Sequence, residues 1–283
     1  MSKIIDGKHV ASIVREEIKK ETAKILELEK KSPNLAVIIV GANPASLAYV
    51  RNKKKFATEV GFSSKTIELE EATTQKVLLE KIEELNNDDN VNGILVQLPL
   101  PKHINEQEII QAIAVKKDVD AFHPEQVGAL SIGLQTLKPC TPAGIIELLK
   151  HYNIPVAGKN VVVIGRSNIV GKPIANMLLN LDATVTITHS RTANLEDITR
   201  VADILIVAIG KAHFLTAEMV KKGAVVIDVG INRTVEGKLV GDVDYEAVYE
   251  KVSYITPVPG GVGPMTIAML LRNTLEAFKQ QMD

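Results

Sequence analysis

Val161-Val-Val-Ile164, running into Gly165-Arg-Ser-Asn-Ile-Val-Gly171-Lys-Pro173, is the stretch that decides the fold class. Its unbroken β-branched run predicts a strand buried on both faces. From Val170 to Leu179 the apolar residues take helical spacing, so the glycine segment is a strand-to-helix turn. In a βαβ unit, free backbone N–H groups and the positive end of the helix can hold a pyrophosphate at such a turn. The spacing is G-x-S-x-x-x-G, not the regular G-x-G-x-x-G fingerprint. Taken alone, the turn is equally an ordinary connection in an α/β protein.

The same alternation extends outward from this point. Thr184–Thr188, Ile204–Ala208 and Ala224–Asp228 read as further strands. Upstream, Leu35–Val40 is a buried strand, followed by a helical pattern from about Ala45 to Val60. Thr66–Leu69 is a weaker strand, with a helix through Leu78 to Leu85. Gly93–Gln97 is a third strand, ended at Leu98-Pro-Leu-Pro101, where two prolines forbid further ladder pairing. A helix near Glu106 to Ala114 completes this series. A polar, turn-rich connection from about Lys116 to Pro142 separates the two series. Strands alternating with helices predict α/β architecture with parallel sheets covered on both faces. The expected division is 1–139 and 140–264, with the last helix, 265–283, packing back on the first domain.

Composition narrows the function. The chain has 283 residues, enough for two domains, and its 46% hydrophobic content can fill a sizeable core. A formal net charge of −1 gives no broad basic face for nucleic acid. The single cysteine, Cys140, excludes an internal disulfide and a multi-cysteine zinc site. The histidines form no ligand pair at helical spacing, so no metal is expected. Two charge-free stretches, Asn34 to Val50 and Tyr254 to Leu271, are broken by proline and glycine and cannot cross a bilayer as one helix. The N-terminus lacks the apolar run of a signal peptide. A soluble, cytoplasmic protein is expected.

The second strand of the dinucleotide unit bears on the cofactor. NAD-specific sites usually end this strand in Asp or Glu, which binds the ribose 2′-hydroxyl. Here Thr184–Thr188 runs into His189-Ser190-Arg191, with no carboxylate. Arg166, Ser190 and Arg191 would welcome a 2′-phosphate, so NADP is expected. The plainer reading is that Ser190 and Arg191 only cap a turn.

Six motifs occur in order along the chain: Tyr49-Val-Arg-Asn-Lys53, Val96-Gln97-Leu-Pro-Leu-Pro101, Lys117-Asp-Val-Asp120, Pro139-Cys-Thr-Pro142, Gly165-Arg-Ser-Asn-Ile-Val-Gly171 and Pro259-Gly-Gly-Val-Gly-Pro-Met-Thr266. Together they resemble the bifunctional methylenetetrahydrofolate dehydrogenase/methenyltetrahydrofolate cyclohydrolase family over nearly the whole chain. The resemblance implies an N-terminal α/β/α folate-binding catalytic domain and a C-terminal Rossmann-type NADP-binding domain, with a cleft between them. It also implies a homodimer working in one-carbon metabolism and purine biosynthesis on a tetrahydrofolate derivative. One residue departs from the pattern: Ala121 stands where the family usually has glycine, a change expected to tighten the pterin pocket.

Tyr49 and Lys53 lie one helical turn apart and project from one face. The resemblance makes Tyr49 the residue that stacks on folate and Lys53 the one that reaches the reacting carbon. Without it, Lys53-Lys54-Lys55 would read as a solvated charge run. The resemblance further implies that Gln97 orients the lysine and that Asp120 accepts from the pterin, with Val96 and Leu98 lining the substrate pocket. Asp118 does not align with the binding aspartate. Pro259, Gly260 and Gly261 would close over substrate, since glycine lets backbone approach a ligand. Gly165, Arg166, Ser167, Ser190 and Ile231 would contact the cofactor. Cys140 reads as structural. The competing readings are another NAD(P)-dependent dehydrogenase of the same architecture acting on a different small substrate, a family member that has lost cyclohydrolase activity or uses NAD, and a non-catalytic ligand-binding regulator.

Overall fold

The computed structural model describes residues 3–282, without the side chains of Pro44 and Ala45. A long helix absent from the sequence reading, α1 (Gly7–Glu29), precedes the first strand. Asp6 caps it, accepting from the N–H groups of Lys8 and His9. Its buried Val10, Val14, Ile18 and Thr22 recur every four residues.

The first series follows as β1 (Asn34–Val40), α2 (Pro44–Glu59), β2 (Ser63–Leu69), α3 (Gln75–Asn86), β3 (Gly93–Val96) and α4 (Glu106–Ala112). The strands form a parallel sheet ordered β2-β1-β3, with Leu35 of β1 opposite Ser64 on one side and Gly93 on the other. Central β1 is buried almost throughout, which accounts for its unbroken apolar sequence. One face of the sheet packs Ile38 and Ile94 with Leu78 and Ile82 of α3 and Ile109 of α4. Thr74 and Asn105 cap α3 and α4 through their side-chain oxygens.

The stretch expected to be a polar connection is more ordered than that. It contains a short helix, α5 (Pro124–Ser131), and the start of α6 (Cys140–His151). Eight residues are too few to show a helical period, although Pro124 stands at the first helical position, where proline is favoured.

The second series runs β4 (Asn160–Ile164), α7 (Gly171–Leu179), β5 (Thr184–Thr188), α8 (Leu195–Thr199), β6 (Ile204–Val207) and β7 (Val225–Asp228). A hairpin of β8 (Asn232–Arg233) and β9 (Leu239–Val240) comes next, then α9 (Tyr245–Tyr249), β10 (Tyr254–Ile255) and α10 (Val262–Met282). Five strands form a parallel sheet ordered β10-β7-β6-β4-β5. Its core gathers Val162, Leu205, Val207 and Val226 with Leu215, Val243 and Val248.

The chain divides into two compact units. One comprises Met1–Ala11, Leu130–Leu134 and Thr141–Thr266; the other comprises Ser12–Ala129, Gln135–Cys140 and Ile267–Asp283. Met1–Ala11 and Leu130–Leu134, which precede 139/140, thus fall in the unit of the five-stranded sheet. The chain start joins the five-stranded unit, where Ile5 N–H donates to Ile255 O at 2.8 Å. Residues from Ile267 onward join the three-stranded unit, where Arg272 pairs with Glu17 at 2.7 Å. Among the described residues, no helix is long and apolar enough to cross a membrane.

Candidate active site

Burial separates the lysines of α2. Lys53 is only 7% exposed, whereas Lys54 and Lys55 face solvent. Lys53 Nζ donates to Gln97 Oε1 at 2.9 Å. Gln97 follows directly on β3, and its backbone N–H still donates to Ile38 O of β1. Its Nε2 donates to Leu98 O at 2.7 Å, which leaves the amide oxygen turned toward the lysine. Burial pushes the lysine pKa down, while the negative charge of Asp120 acts in the opposite direction. Tyr49, one turn before Lys53, is half-buried, and burial raises its phenol pKa.

Asp120 enters the same constellation from the loop after α4. Burial raises its pKa, while Lys53 and a hydrogen bond from the Cys140 thiol lower it. The Cys140 thiol lies 3.3 Å from Val119 O, and burial raises its pKa well above the usual value. A thiol so held is no nucleophile at neutral pH. Val96, Leu98, Asp118, Asp120 and Phe122 line one small cavity, with Val96 buried and Leu98 half-buried.

The loop itself is organised by two residues to which the sequence reading gave no role. Asp118 is buried, and its carboxylate accepts from Ala121 N–H at 3.1 Å and His123 N–H at 2.8 Å. Burial pushes that carboxyl up to about 7. Lys117, also buried, donates to the carbonyls of Leu85, Asn86 and Asp88 and so caps the end of α3. Asn273 of α10 holds Val119 O and Lys138 O at 2.8 Å each. The signal for Lys117 and Asp118 was present in the Lys117-Asp-Val-Asp120 motif. Asn273 had none, because its partners are remote in sequence. Ala121 has φ of +59°, the left-handed conformation that glycine adopts most easily.

The residues expected to meet a dinucleotide belong to the five-stranded unit. Gly165 directly follows β4 with φ of +123°, and an added Cβ would lie 2.3 Å from Ala208 O. Ser167 Oγ accepts from the N–H groups of Val170 and Gly171 at 3.2 Å, closing the turn into α7. Arg166 and Ser190 are exposed just beyond the ends of the paired strands β4 and β5. The turn after β5 is capped by Thr192, which accepts from His189 N–H at 2.9 Å. Capping therefore falls to other residues and leaves the exposed Ser190 and Arg191 side chains available. Exposed cationic and hydroxyl groups with no carboxylate at the end of β5 fit a 2′-phosphorylated dinucleotide. Ile231 is 49% exposed and follows Asp228, whose carboxyl is pushed up to about 6 by burial.

Pro259, Gly260 and Gly261 lie in the same unit, with Pro259 exposed and both glycines buried. Packing requires glycine at 261, whereas at 260 the backbone does, with φ of +115°. A Cβ on Gly261 would come within 2.7 Å of Pro257 O, and Gly260 O accepts from Lys8 N–H at 3.1 Å. Among the described residues, no group of three His, Cys, Asp or Glu side chains could hold a metal ion.

Comparison with known proteins matches both halves of the chain to one family. The tetrahydrofolate dehydrogenase/cyclohydrolase catalytic domain matches residues 5–120, and the NAD(P)-binding domain of the same family matches residues 139–282. The bifunctional protein FolD of Exiguobacterium sibiricum is 58% identical over 99% of this chain and 100% of its own length. The structure of the bifunctional enzyme FolD, methylenetetrahydrofolate dehydrogenase/cyclohydrolase, from Campylobacter jejuni has a TM-score of 0.95 at 52% identity, covering 98% of each chain. The Trypanosoma brucei methylenetetrahydrofolate dehydrogenase-cyclohydrolase, solved with NADP and an inhibitor, has a TM-score of 0.95 at 40% identity, covering 100% of this chain and 99% of its own. With both of its halves matched and relatives this similar over nearly their full length, the chain belongs to the tetrahydrofolate dehydrogenase/cyclohydrolase family.

Proposed function

We propose that this chain oxidises 5,10-methylenetetrahydrofolate with NADP and hydrolyses the resulting 5,10-methenyltetrahydrofolate to 10-formyltetrahydrofolate. The observation that carries the reading is the buried Lys53, hydrogen-bonded to Gln97 and subject to the charge of Asp120. When bound, the dinucleotide supplies the hydride acceptor. The cation left by hydride loss is shared between two nitrogens, so this step demands positioning more than a base. Tyr49 offers a half-buried ring on which folate can stack, and Asp120 accepts from the pterin N–H groups to fix its orientation.

Hydrolysis makes a different demand. Water adds to the methenyl carbon and must give up a proton. Burial already disfavours the ammonium form of Lys53, and a cationic substrate disfavours it further. The free amine accepts the proton from water, while Gln97 holds Nζ in place. The carbon–N5 bond then breaks, N5 regains a proton, and the formyl group remains on N10.

NADP rather than NAD is favoured by the exposed Arg166 and Ser190, and by the absence of an acid after β5. A homodimer is favoured by edge strand β5, whose open ladder is flanked by exposed Leu179, Leu181 and Ile187. The cytoplasm is the compartment that suits this chemistry in a chain with no membrane-crossing helix among its described residues. An absorbance assay with methylenetetrahydrofolate and either NADP or NAD tests the reading. Turnover with NADP, and much less with NAD, is expected. No turnover with either would defeat the assignment, and turnover with NAD alone would overturn the role given to Arg166 and Ser190.

A further inference from the structure

Two buried carboxylates lie at the ends of the central strands of the five-stranded sheet. Asp228 closes β7; its Oδ1 accepts from the N–H groups of Gly230 and Asp242 at 2.9 Å, and its Oδ2 from Val243 N–H at 3.0 Å. Asp242, with no exposed surface, gathers four donors of its own. Its Oδ2 accepts from Ile209 N–H at 2.8 Å and Gly210 N–H at 2.9 Å. Its Oδ1 accepts from Lys211 N–H at 2.8 Å and Asn232 Nδ2 at 2.9 Å. None of these seven donors is a charged side chain.

The chain leaves space for both acids. A Cβ on Gly230 would lie 2.2 Å from Asp242 Oδ1, and one on Gly241 would lie 1.8 Å from Asp228 Oδ2. Backbone and amide donors offset the desolvation cost of these carboxylates, and the segments that the bonds join give the arrangement its use. Residues 209–211 follow β6, directly after Ala208, whose carbonyl packs on Gly165 of the dinucleotide turn. Residues 230–232 follow β7 and include Ile231, flanked by Gly230 bonded to Asp228 and Asn232 bonded to Asp242. β6 and β7 are neighbours in the sheet, and open parallel sheets bind ligands outside the carboxyl ends of their strands.

We propose that Asp242 is a positioning residue for the dinucleotide: its carboxylate clamps the loops after β6 and β7 in the arrangement the cofactor meets. A carboxylate can accept all four bonds, whereas an amide has one acceptor oxygen and turns an N–H₂ toward the remaining donors. The inference rests on the dinucleotide reading given above, but not on the identity of the folate substrate.

The test compares wild type, Asp242→Asn and Asn232→Ala. Three readouts are taken: the KM for NADP, the rise in Tm on adding NADP, and hydrolysis of methenyltetrahydrofolate, which uses no dinucleotide. For Asp242→Asn the KM for NADP is expected to rise about tenfold, the size of a lost charged hydrogen bond. The NADP-induced Tm shift shrinks accordingly, while hydrolysis stays within about twofold of wild type. Asn232→Ala removes one donor and leaves the carboxylate intact, and is expected to raise the KM for NADP severalfold; it decides the matter if Asp242→Asn does not fold. Unchanged NADP affinity in the folded variants overturns the proposal. So does a parallel fall in hydrolysis, which would mark a purely structural role. The Tm arm needs no folate and still decides the question if wild type fails to oxidise methylenetetrahydrofolate, a result that would count against the substrate assignment instead.

Discussion

Lys53, Lys54 and Lys55 have the same chemistry and adjacent places in the sequence, yet only Lys53 leaves solvent and meets Gln97. The family motif singled it out; composition and helical spacing did not, because neither says which face of a helix is covered. Asp118 and Asp242 were missed for a related reason. Their donors are mostly backbone N–H groups, which leave no mark on sequence. Ala121 shows the reverse case, since its departure from glycine was visible but its conformation was not. At φ of +59° an alanine is tolerated, but a β-branched side chain is strained. Ala121→Val is therefore expected to destabilise the chain by about 2–4 kcal/mol, combining strain with overpacking. Ala121→Gly should fall within about 1 kcal/mol of wild type, as relief of strain offsets added freedom in the unfolded chain. Urea unfolding measures both, and a Val variant as stable as wild type would contradict the backbone described.

Among the elements, the strands were the most legible, because burial on both faces produces apolar runs that few other structures need. β1, β3, β4, β6 and β7 all lay within a residue or two of their expected places. Helix α1 was overlooked because its buried stripe is narrow and interrupted by lysines and glutamates. Element packing also reaches the candidate site. A Cβ on Gly93 of β3 would lie 2.7 Å from Val119 Cγ1, next to Asp120. Gly93→Ala must therefore move Val119, at a cost of about 1–3 kcal/mol, and is expected to raise the KM for methylenetetrahydrofolate. Steady-state kinetics with thermal unfolding checks this; lost stability with an unchanged KM would break the link between β3 and Asp120.

For the whole molecule, the two series of strands and helices were readable from one end to the other, but the passage of Met1–Ala11 and Leu130–Leu134 into the five-stranded unit was not. Such crossings depend on contacts remote in sequence. Assembly is tested at β5, where Ile187 is 40% exposed on an edge strand. Sedimentation is expected to show a dimer for wild type and a monomer for Ile187→Lys, and a monomeric wild type would contradict the proposed assembly. In the proposed mechanism buried Lys53 takes the proton during hydrolysis, and the pH profile of methenyltetrahydrofolate hydrolysis for wild type and Lys53→Met tests that step. Burial lowers the lysine pKa, so the active amine form is lost as pH falls through that lowered value. The wild-type rate should therefore climb with pH across that range, and Lys53→Met should abolish enzymatic hydrolysis while still binding NADP. A methionine variant that hydrolyses at the wild-type rate, with the same pH profile, would rule out Lys53 as the proton acceptor.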